Sequence, residues 1–502
     1  MQRRDSWILA ALIVVTVAVR LPGVFNRAIW YDESITLLET AGNAIPDWSE
    51  LPTPARTQKE LLVGAPSFRE IAAGLHETDV HPPVYYVLLS KWRQVAGGSI
   101  EAARLFSVLF SAGSVLLLYL LLRSSGFERP FAPSLVYSLS SGAVHYGHEA
   151  RNYSFAMFLV IAAYFLAYIA TKRELENRRI FIVISVAVGV LCGLAFQTNY
   201  LTVFPLVVLL LWYPFWIPNQ RRPWVILTIV IAFAISLMWV GTFVKQLGAR
   251  PTQFQKALGF WQELDKIIDF NYTILWSPVF PSSGVRIAVI GAVIALSAAS
   301  AVYLAKTRGS LDRRLFTMMA GLALAPSLGV LALDIAFSKN LGKASYVLFA
   351  GPAVSVLLAL GAVHRWQCDS NARRWPGPWL DRLGRCALAF FIGLQLTGIN
   401  FDLERTPEFA GSALRTLTRK LEASTAESVV VIGAGHGRGD PASIIYEMKP
   451  DTTVCVIDGE TDVDALKSEL ERYDEIWIVF AKGRMTAAVE EELVSALSAD
   501  KS

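Results

Sequence analysis

The chain has 502 residues, of which 54% are hydrophobic and only 18% charged, with a mean hydropathy of +0.43. That balance excludes a soluble globular protein of this length and predicts a polytopic membrane protein. The net charge of +4 is small and its basic residues sit in short clusters between apolar runs, which argues against nucleic acid as a partner.

Taken in chain order, Met1 to Arg4 followed by an apolar run to Leu21 has the start of a signal peptide but no small-residue cleavage site, so it reads as an uncleaved first span. Segments long enough for a hydrocarbon core of about 30 Å lie near 7–22, 105–122, 131–147, 152–171, 180–197, 199–217, 224–244, 285–305, 315–337, 343–363 and 386–401. These are eleven candidate crossings. Basic clusters test the count, because they should gather on one face of the membrane. Arg3 and Arg4, Arg123 and Arg129, Lys172 with Arg173, Arg178 and Arg179, Arg221 and Arg222, Lys306 to Arg314, and Arg365 to Arg385 all fall at alternate connections. The expected fold class is therefore an α-helical polytopic membrane protein. Its N-terminus is expected inside, and its first and second outer loops at about 23–104 and 245–283.

Just past the first span stand Trp30, Tyr31, Asp32 and Glu33. The aromatics suit the membrane interface, and a carboxylate there can accept a proton from an attacking hydroxyl. The alternative is a solvated pair that marks a helix end. Later in the same loop come Asp79, His81, Pro82 and Pro83, a turn into a helix with Pro82 in its first turn, where a missing N–H costs nothing. Lys91 and Arg93 interrupt the apolar run from His81 to Gly97, which reads as an interfacial helix and not a crossing. Arg104 opens the next span.

His145, His148, Glu149, Arg151, Asn152 and Tyr153 crowd the turn between two spans, where ionisable groups are costly and point to function. His145 and His148 have helical spacing for a metal pair, but no third ligand follows, so hydrogen-bonding roles are preferred. Lys339 and Lys343 offer further cations near the headgroups, with simple snorkelling as the alternative. The second outer loop, with Trp261, Tyr272 and Trp276, reads as an interfacial cover.

From about 402 the composition becomes that of a soluble domain. Val429–Gly433, Thr453–Asp458 and Glu475–Ala481 read as buried strands, alternating with helical patterns at 462–472 and 485–498, hence a small α/β unit with a parallel sheet. The run Gly433 to Gly439 after a strand, with Asp458 beyond, has a dinucleotide-loop flavour. Arg438 at the third glycine position and Asp440-Pro441 before the helix weaken it, so a docking loop or plain structure is preferred. The domain limits expected are 1–401 and 402–502. Cys192, Cys368, Cys386 and Cys455 show no paired spacing, so neither a disulfide framework nor a thiolate zinc site is expected. The Asn152 and Asn271 sequons read as chance.

Together, Trp30-Tyr31-Asp32-Glu33-Ser34, Asp79-Val80-His81-Pro82-Pro83-Val84-Tyr85-Tyr86, Ala103-Arg104-Leu105-Phe106-Ser107 and His148-Glu149-Ala150-Arg151-Asn152-Tyr153 resemble the successive signatures of the GT-C glycosyltransferases. The nearest likeness is to bacterial relatives of the protein O-mannosyltransferases and the lipid A aminoarabinose transferases, a glycosyltransferase family 39-like pattern. It covers about residues 1–220. The resemblance implies transfer of a sugar from a polyprenyl phosphate to a lipid, polysaccharide or protein acceptor on the outer face of a bacterial inner membrane, with inversion. It makes Asp32 the base and gives Glu33 the task of organising the acceptor or a neighbouring cation. Asp79, His81, Arg104, His148, Glu149, Arg151, Tyr153, Lys339 and Lys343 become candidates for binding substrate or the donor phosphate. The sequence Lys343-Ala344-Ser345-Tyr346 departs from the family's Arg-Tyr pair. No cofactor is required, and a divalent metal beside Glu33 is left open. The rival readings are a transporter or flippase of lipid-linked sugars, and a plain anchor for the C-terminal domain. Ionisable residues gathered at span ends rather than mid-span favour the enzyme.

Overall fold

The computed structural model describes residues 3–127, 129–172, 177–249, 255–256, 259–275, 313–337, 339–340, 344–363, 411–433, 439–457, 461 and 463–480. Its chain divides into two compact units, one of Met1–Val24 with Ser107–Glu404 and one of Phe25–Phe106 with Arg405–Ser502.

The chain starts in the first unit with α1 (Arg3–Ala18) and α2 (Leu21–Asn26), an apolar run that bends just ahead of Pro22. In the second unit follow α3 (Tyr31–Ala41), the short strand β1 (Thr53–Pro54), α4 (Ala55–Lys59), α5 (Phe68–Thr78) and α6 (Val84–Ala96). A capping box of Ser67 and Glu70 starts α5. The helix α6 buries Tyr85, Tyr86, Leu89 and Arg93 on one face and leaves Leu88 and Val95 exposed, so it is amphipathic, as an interfacial helix should be. It begins after Pro83, however, not at Pro82. Two successive ring nitrogens supply no donors and push the residue before each towards extended backbone.

Then α7 (Ile100–Ser124), about 37 Å long by its 25 residues, carries the chain back to the first unit. There it forms α8 (Phe131–Leu139), α9 (Ser141–His148), α10 (Tyr153–Ala170), α11 (Arg178–Phe196), α12 (Val203–Trp216), α13 (Arg222–Leu237), α14 (Val240–Ala249), β2 (Gln255–Lys256), α15 (Phe260–Leu275), α16 (Arg313–Phe337), β3 (Lys339–Asn340) and α17 (Gly351–Val363). Among the described residues six helical stretches are long and apolar enough to cross a membrane: Asp5–Asn26, Ile100–Ser124, Tyr153–Ala170, Arg178–Phe196, Asn219–Leu237 and Arg313–Ala336. Large apolar side chains such as Val183, Phe233 and Leu324 stay exposed on them, which water would penalise and lipid accepts. This is a multi-pass membrane protein. The segments expected at 285–305 and 386–401 lie outside the described residues, as does the helix expected at 485–498.

Two spans are less regular than their composition suggests. The run at 343–363 opens as a 3-10 segment, Ala344–Ala350, before α17. The run at 131–147 is broken at Ser140, whose extended backbone separates α8 from α9. A break inside apolar surroundings frees carbonyls at the end of α8 that must find donors, and Arg20 from the first span supplies one to Ser138 while also reaching into α9. Its guanidinium is fully buried and donates to the carbonyls of Ser138 (3.2 Å) and Ala143 (2.8 Å), to Thr16 O (2.7 Å) and to Ser111 Oγ (2.8 Å). Arg20→Lys keeps the charge but cannot fork to acceptors on both sides of the break. We expect it to cost roughly 1–3 kcal/mol per carbonyl left without a donor, read as a lower thermal midpoint of the reconstituted protein. An unchanged midpoint would show the staple to be dispensable. Close helix contact elsewhere comes from Gly189 and Gly193 on α11, a small-xxx-small pair whose hydrogens face Thr228, Ile231 and Ile235 of α13.

The chain closes in the second unit with α18 (Gly411–Ala423), β4 (Ser428–Gly433), α19 (Gly439–Glu447), β5 (Thr453–Ile457), α20 (Val463–Leu470) and β6 (Glu475–Phe480). The three expected strands are present and parallel, β4 lying between β5 and β6. Val430, Ile432, Val454 and Val456 pack one face on Ile444, Ile445 and Met448, while Val429, Val431, Cys455 and Ile457 pack the other on Leu466 and Leu470. The sheet is not purely parallel, nor built only from residues after 402. Thr53–Pro54 adds β1 as an antiparallel edge on β5, with Thr53 opposite Val454. Ser49 O continues that edge by accepting from Val456 N–H.

Candidate active site

The two loop carboxylates sit in the first turn of α3, where unsatisfied backbone N–H groups favour negative charge. Trp30, in extended conformation, precedes the helix. The neighbours then diverge: Asp32 is half-buried, whereas Glu33 is fully buried. The reason lies 71 residues away. The side chain of Arg104, itself 1% exposed, donates through Nε to Glu33 Oε1 at 2.9 Å and through Nη2 to Oε2 at 2.6 Å. Its remaining donors reach the carbonyls of Arg27 (2.7 Å) and Ala28 (3.0 Å). Such a bidentate pair orients both partners. It ties the Arg104 guanidinium to the loop's own backbone and carboxylate.

Asp79 ends α5 and is half-buried. Its Oδ1 accepts from the N–H of Val80 at 2.6 Å and its Oδ2 from the Tyr86 hydroxyl at 3.3 Å. His81 stacks on Tyr86 with ring centroids 6.4 Å apart. The pair thus precedes the Pro82-Pro83 turn, just before α6 as the sequence suggested. Arg93, read from sequence only as an interruption of an apolar run, is a buried tie. It donates to the carbonyls of Leu37, Leu62 and Gly98 and to Thr40 Oγ1, joining the end of α3 to the loop and to the end of α6. Burial pulls its guanidinium down to about 10, which leaves it charged at neutral pH.

In the first unit, α9 ends at His148 and α10 begins at Tyr153, with Glu149, Arg151 and Asn152 in the turn between them. All four of His148, Glu149, Arg151 and Asn152 are buried. His145 Nε2 lies 3.2 Å from Glu149 Oε1. The Tyr146 and Tyr153 rings meet edge to face at 4.8 Å. Asn152 donates to Thr198 O at 2.8 Å and faces the Asn199 amide. Its amide is therefore part of the core of the turn and not a displayed sequon. The second outer loop contributes α15, whose Lys266 bridges Glu263 and Asp334 of α16, the latter at 2.7 Å, while Asn271 bonds Ser327 at 2.9 Å. Sequence reading saw the aromatic surface of this helix and missed its polar seam, although Glu263 and Lys266 stand at i, i+3. Lys339 lies in β3, opposite Lys256 of β2. Lys343 and residues 434–438 of the glycine-rich loop lie outside the described residues.

A divalent ion beside Glu33 finds no matching donor set. Both of its oxygens accept from one guanidinium, and among the described residues no three His, Cys, Asp or Glu side chains gather with metal-ligand geometry.

The comparisons agree with this architecture. A family model described as dolichyl-phosphate-mannose-protein mannosyltransferase matches residues 80–240, which takes in His81, Arg104 and the 145–153 turn but begins after Asp32. Among solved structures, the chain is similar to ArnT from Cupriavidus metallidurans in the apo state, with a TM-score of 0.52 at 12% identity over 98% of this chain and 91% of that one. It is similar to the same protein bound to undecaprenyl phosphate, with a TM-score of 0.51 at 12% identity over 95% and 90%. At such identity the likeness carries the fold alone, which this chain shares with ArnT.

Proposed function

We propose that this GT-C membrane glycosyltransferase moves a sugar from a polyprenyl-phosphate carrier to a lipid, polysaccharide or protein acceptor hydroxyl, with Asp32 as the general base. The observation that carries the reading is the first turn of α3. Asp32 is half-buried there beside the fully buried Glu33 that Arg104 binds, so the turn is anchored one residue away from the carboxylate assigned here as the base. The acceptor oxygen attacks the anomeric carbon as its proton passes to the Asp32 carboxylate. The bond to the carrier phosphate breaks with its electron pair on that phosphate, and the configuration inverts. A phosphate leaves as a stable anion, so a base is the main acid–base requirement. Arg104 acts in this scheme by orienting Glu33 and the loop. The donor-phosphate contact is assigned to cations among Arg151, Lys339 and Lys343. The undecaprenyl phosphate bound to the similar ArnT structure supports a polyprenyl carrier.

The reaction is assigned to the outer face of a bacterial inner membrane. That the first loop and the C-terminal residues fall in one compact unit supports placing them on the same face, which takes an even number of crossings between them. The ten apolar segments counted between 105 and 401 meet that requirement, with the basic clusters on the opposite, inner face.

The test is label transfer by the full chain in lipid nanodiscs, from a panel of undecaprenyl-phosphate sugars to extracted envelope glycolipids, polysaccharides and proteins. Transfer to a hydroxyl with an inverted anomeric centre is the expected result. Absent transfer, joined to donor translocation across sealed vesicles, would replace the enzyme reading with that of a flippase.

A further inference from the structure

The C-terminal domain has so far appeared only as a sheet with a borrowed edge strand. Its helix α19 touches the segment that carries the carboxylates at both ends. At the N-terminal end, the carbonyl of Gly439 accepts from Ser34 Oγ at 2.6 Å, a hydroxyl that also lies 2.8 Å from Tyr31 O. A Cβ built on Gly439 would come within 2.9 Å of both the Tyr31 ring and Ile35 Cγ1, so the two helices meet backbone against side chain with no room for a methyl group. At the C-terminal end, Glu447 Oε1 accepts from the N–H of Ile29 at 3.0 Å, and Tyr446 Oη accepts from the N–H of Ile100 at 2.9 Å. Lys59 holds that end in turn by donating to Met448 O at 2.5 Å.

These contacts bear on the chemistry because of where they fall. Ile29, Tyr31 and Ser34 bracket Asp32 on the chain, and Ile100 opens the turn of α7 that presents Arg104. One helix about 13 Å long therefore grips both strands of backbone that the Glu33–Arg104 pair joins. Each contact spans more than three hundred residues of sequence and lies within one compact unit. A domain that merely trailed from the last span would have no reason to place a glycine against Tyr31.

We propose that α19 is a positioning element of the transferase site: through Gly439, Tyr446 and Glu447 it sets the placement of Asp32 against the acceptor hydroxyl. The inference rests on the reading of Asp32 as the base. It concerns geometry, so it acts on kcat more than on donor affinity, since a displacement of about 1 Å at a reacting group can cost about 100-fold in rate.

The experiment uses the full chain in phosphatidylethanolamine–phosphatidylglycerol nanodiscs, with the undecaprenyl-phosphate sugar that gives turnover in the panel. The variants are Gly439→Ala, Tyr446→Phe with Glu447→Ala, and Glu447→Gln, which keeps an acceptor oxygen. We expect the first two to lose about 10- to 100-fold in kcat with donor KM within about twofold. Hydrogen exchange should accelerate at 29–34 and stay unchanged in β5, and Glu447→Gln should stay within about threefold of wild type. Full kcat in the double variant despite faster exchange at 29–34 would overturn the proposal. So would a Glu447→Gln as impaired as the double variant, or losses that match the unfolded fraction. Asp32→Asn is assayed alongside. If it turns over normally, the base assignment has failed, whatever the α19 variants do. If it is inactive while the α19 variants are fully active, only the positioning role has failed.

Discussion

Asp32→Asn is expected to lower the transfer rate by about 10²- to 10⁴-fold, the range a positioned base contributes, with little change in donor KM or folding. Asparagine has the same length as aspartate and is tolerated in the first turn of a helix, so α3 keeps its start. What the amide cannot do is take up the acceptor's proton. Asp32→Glu is the sharper companion, since it keeps the carboxylate but moves it by one methylene. With Tyr31, Glu33 and Ser34 all held by other segments, the turn cannot slide to compensate, and we expect an intermediate rate. Initial rates against donor concentration at matched amounts of folded protein decide the matter. Wild-type turnover by Asp32→Asn would remove this residue from the chemistry.

The second large effect is on stability. Glu33→Ala leaves the Arg104 guanidinium charged, buried and without its carboxylate, and breaking a buried pair from one side costs about 3–5 kcal/mol. We expect a much lower thermal midpoint and rapid exchange through 27–34, because the carbonyls of Arg27 and Ala28 share the same guanidinium. Replacing both partners, Glu33→Met with Arg104→Met, should recover part of the loss, since two desolvated charges disappear together while the carbonyls of Arg27 and Ala28 lose their donor. Arg104→Lys separates the two roles considered for this cation. A phosphate contact would be weakened by exchanging the planar fork for a point charge and would show as a higher donor KM. A structural fork would be lost, lowering the thermal midpoint and kcat at unchanged KM. A rise in KM alone would return Arg104 to the donor phosphate.

Part of this molecule is legible along the chain because it depends on local periodicity and solvent. Apolar runs of 18 residues or more must cross lipid or be buried, so the main spans follow from composition. Valine-rich runs of five or six residues between turns become strands covered on both faces, as β4, β5 and β6 are. The carboxylates past the first span and the ionisable turn at 145–153 stand out for a related reason, because charge beside hydrocarbon is costly and needs a cause.

Other features depend on which distant groups meet, and no local pattern encodes that. Asp32 and Glu33 are adjacent and chemically alike in sequence, yet Arg104 turns one of them into a buried tie. Arg93 and Arg20 look like interruptions of apolar runs until the carbonyls they satisfy come into view. The break at Ser140 lies within a run apolar enough to continue, and Arg20 from the first span supplies donors on both sides of it. The boundary at 402 marks a true change of composition but separates residues that fold together, because the sheet's edge and the grip on α3 are made with the first loop. The sequence by itself determined the membrane class, the strands and the stretch that carries the carboxylates, since each answers to the solvent around it. Only the tertiary structure decided that Glu33 pairs with Arg104 and that C-terminal residues meet the turn beside it, since those answers are set by hydrogen bonds between groups tens to hundreds of residues apart.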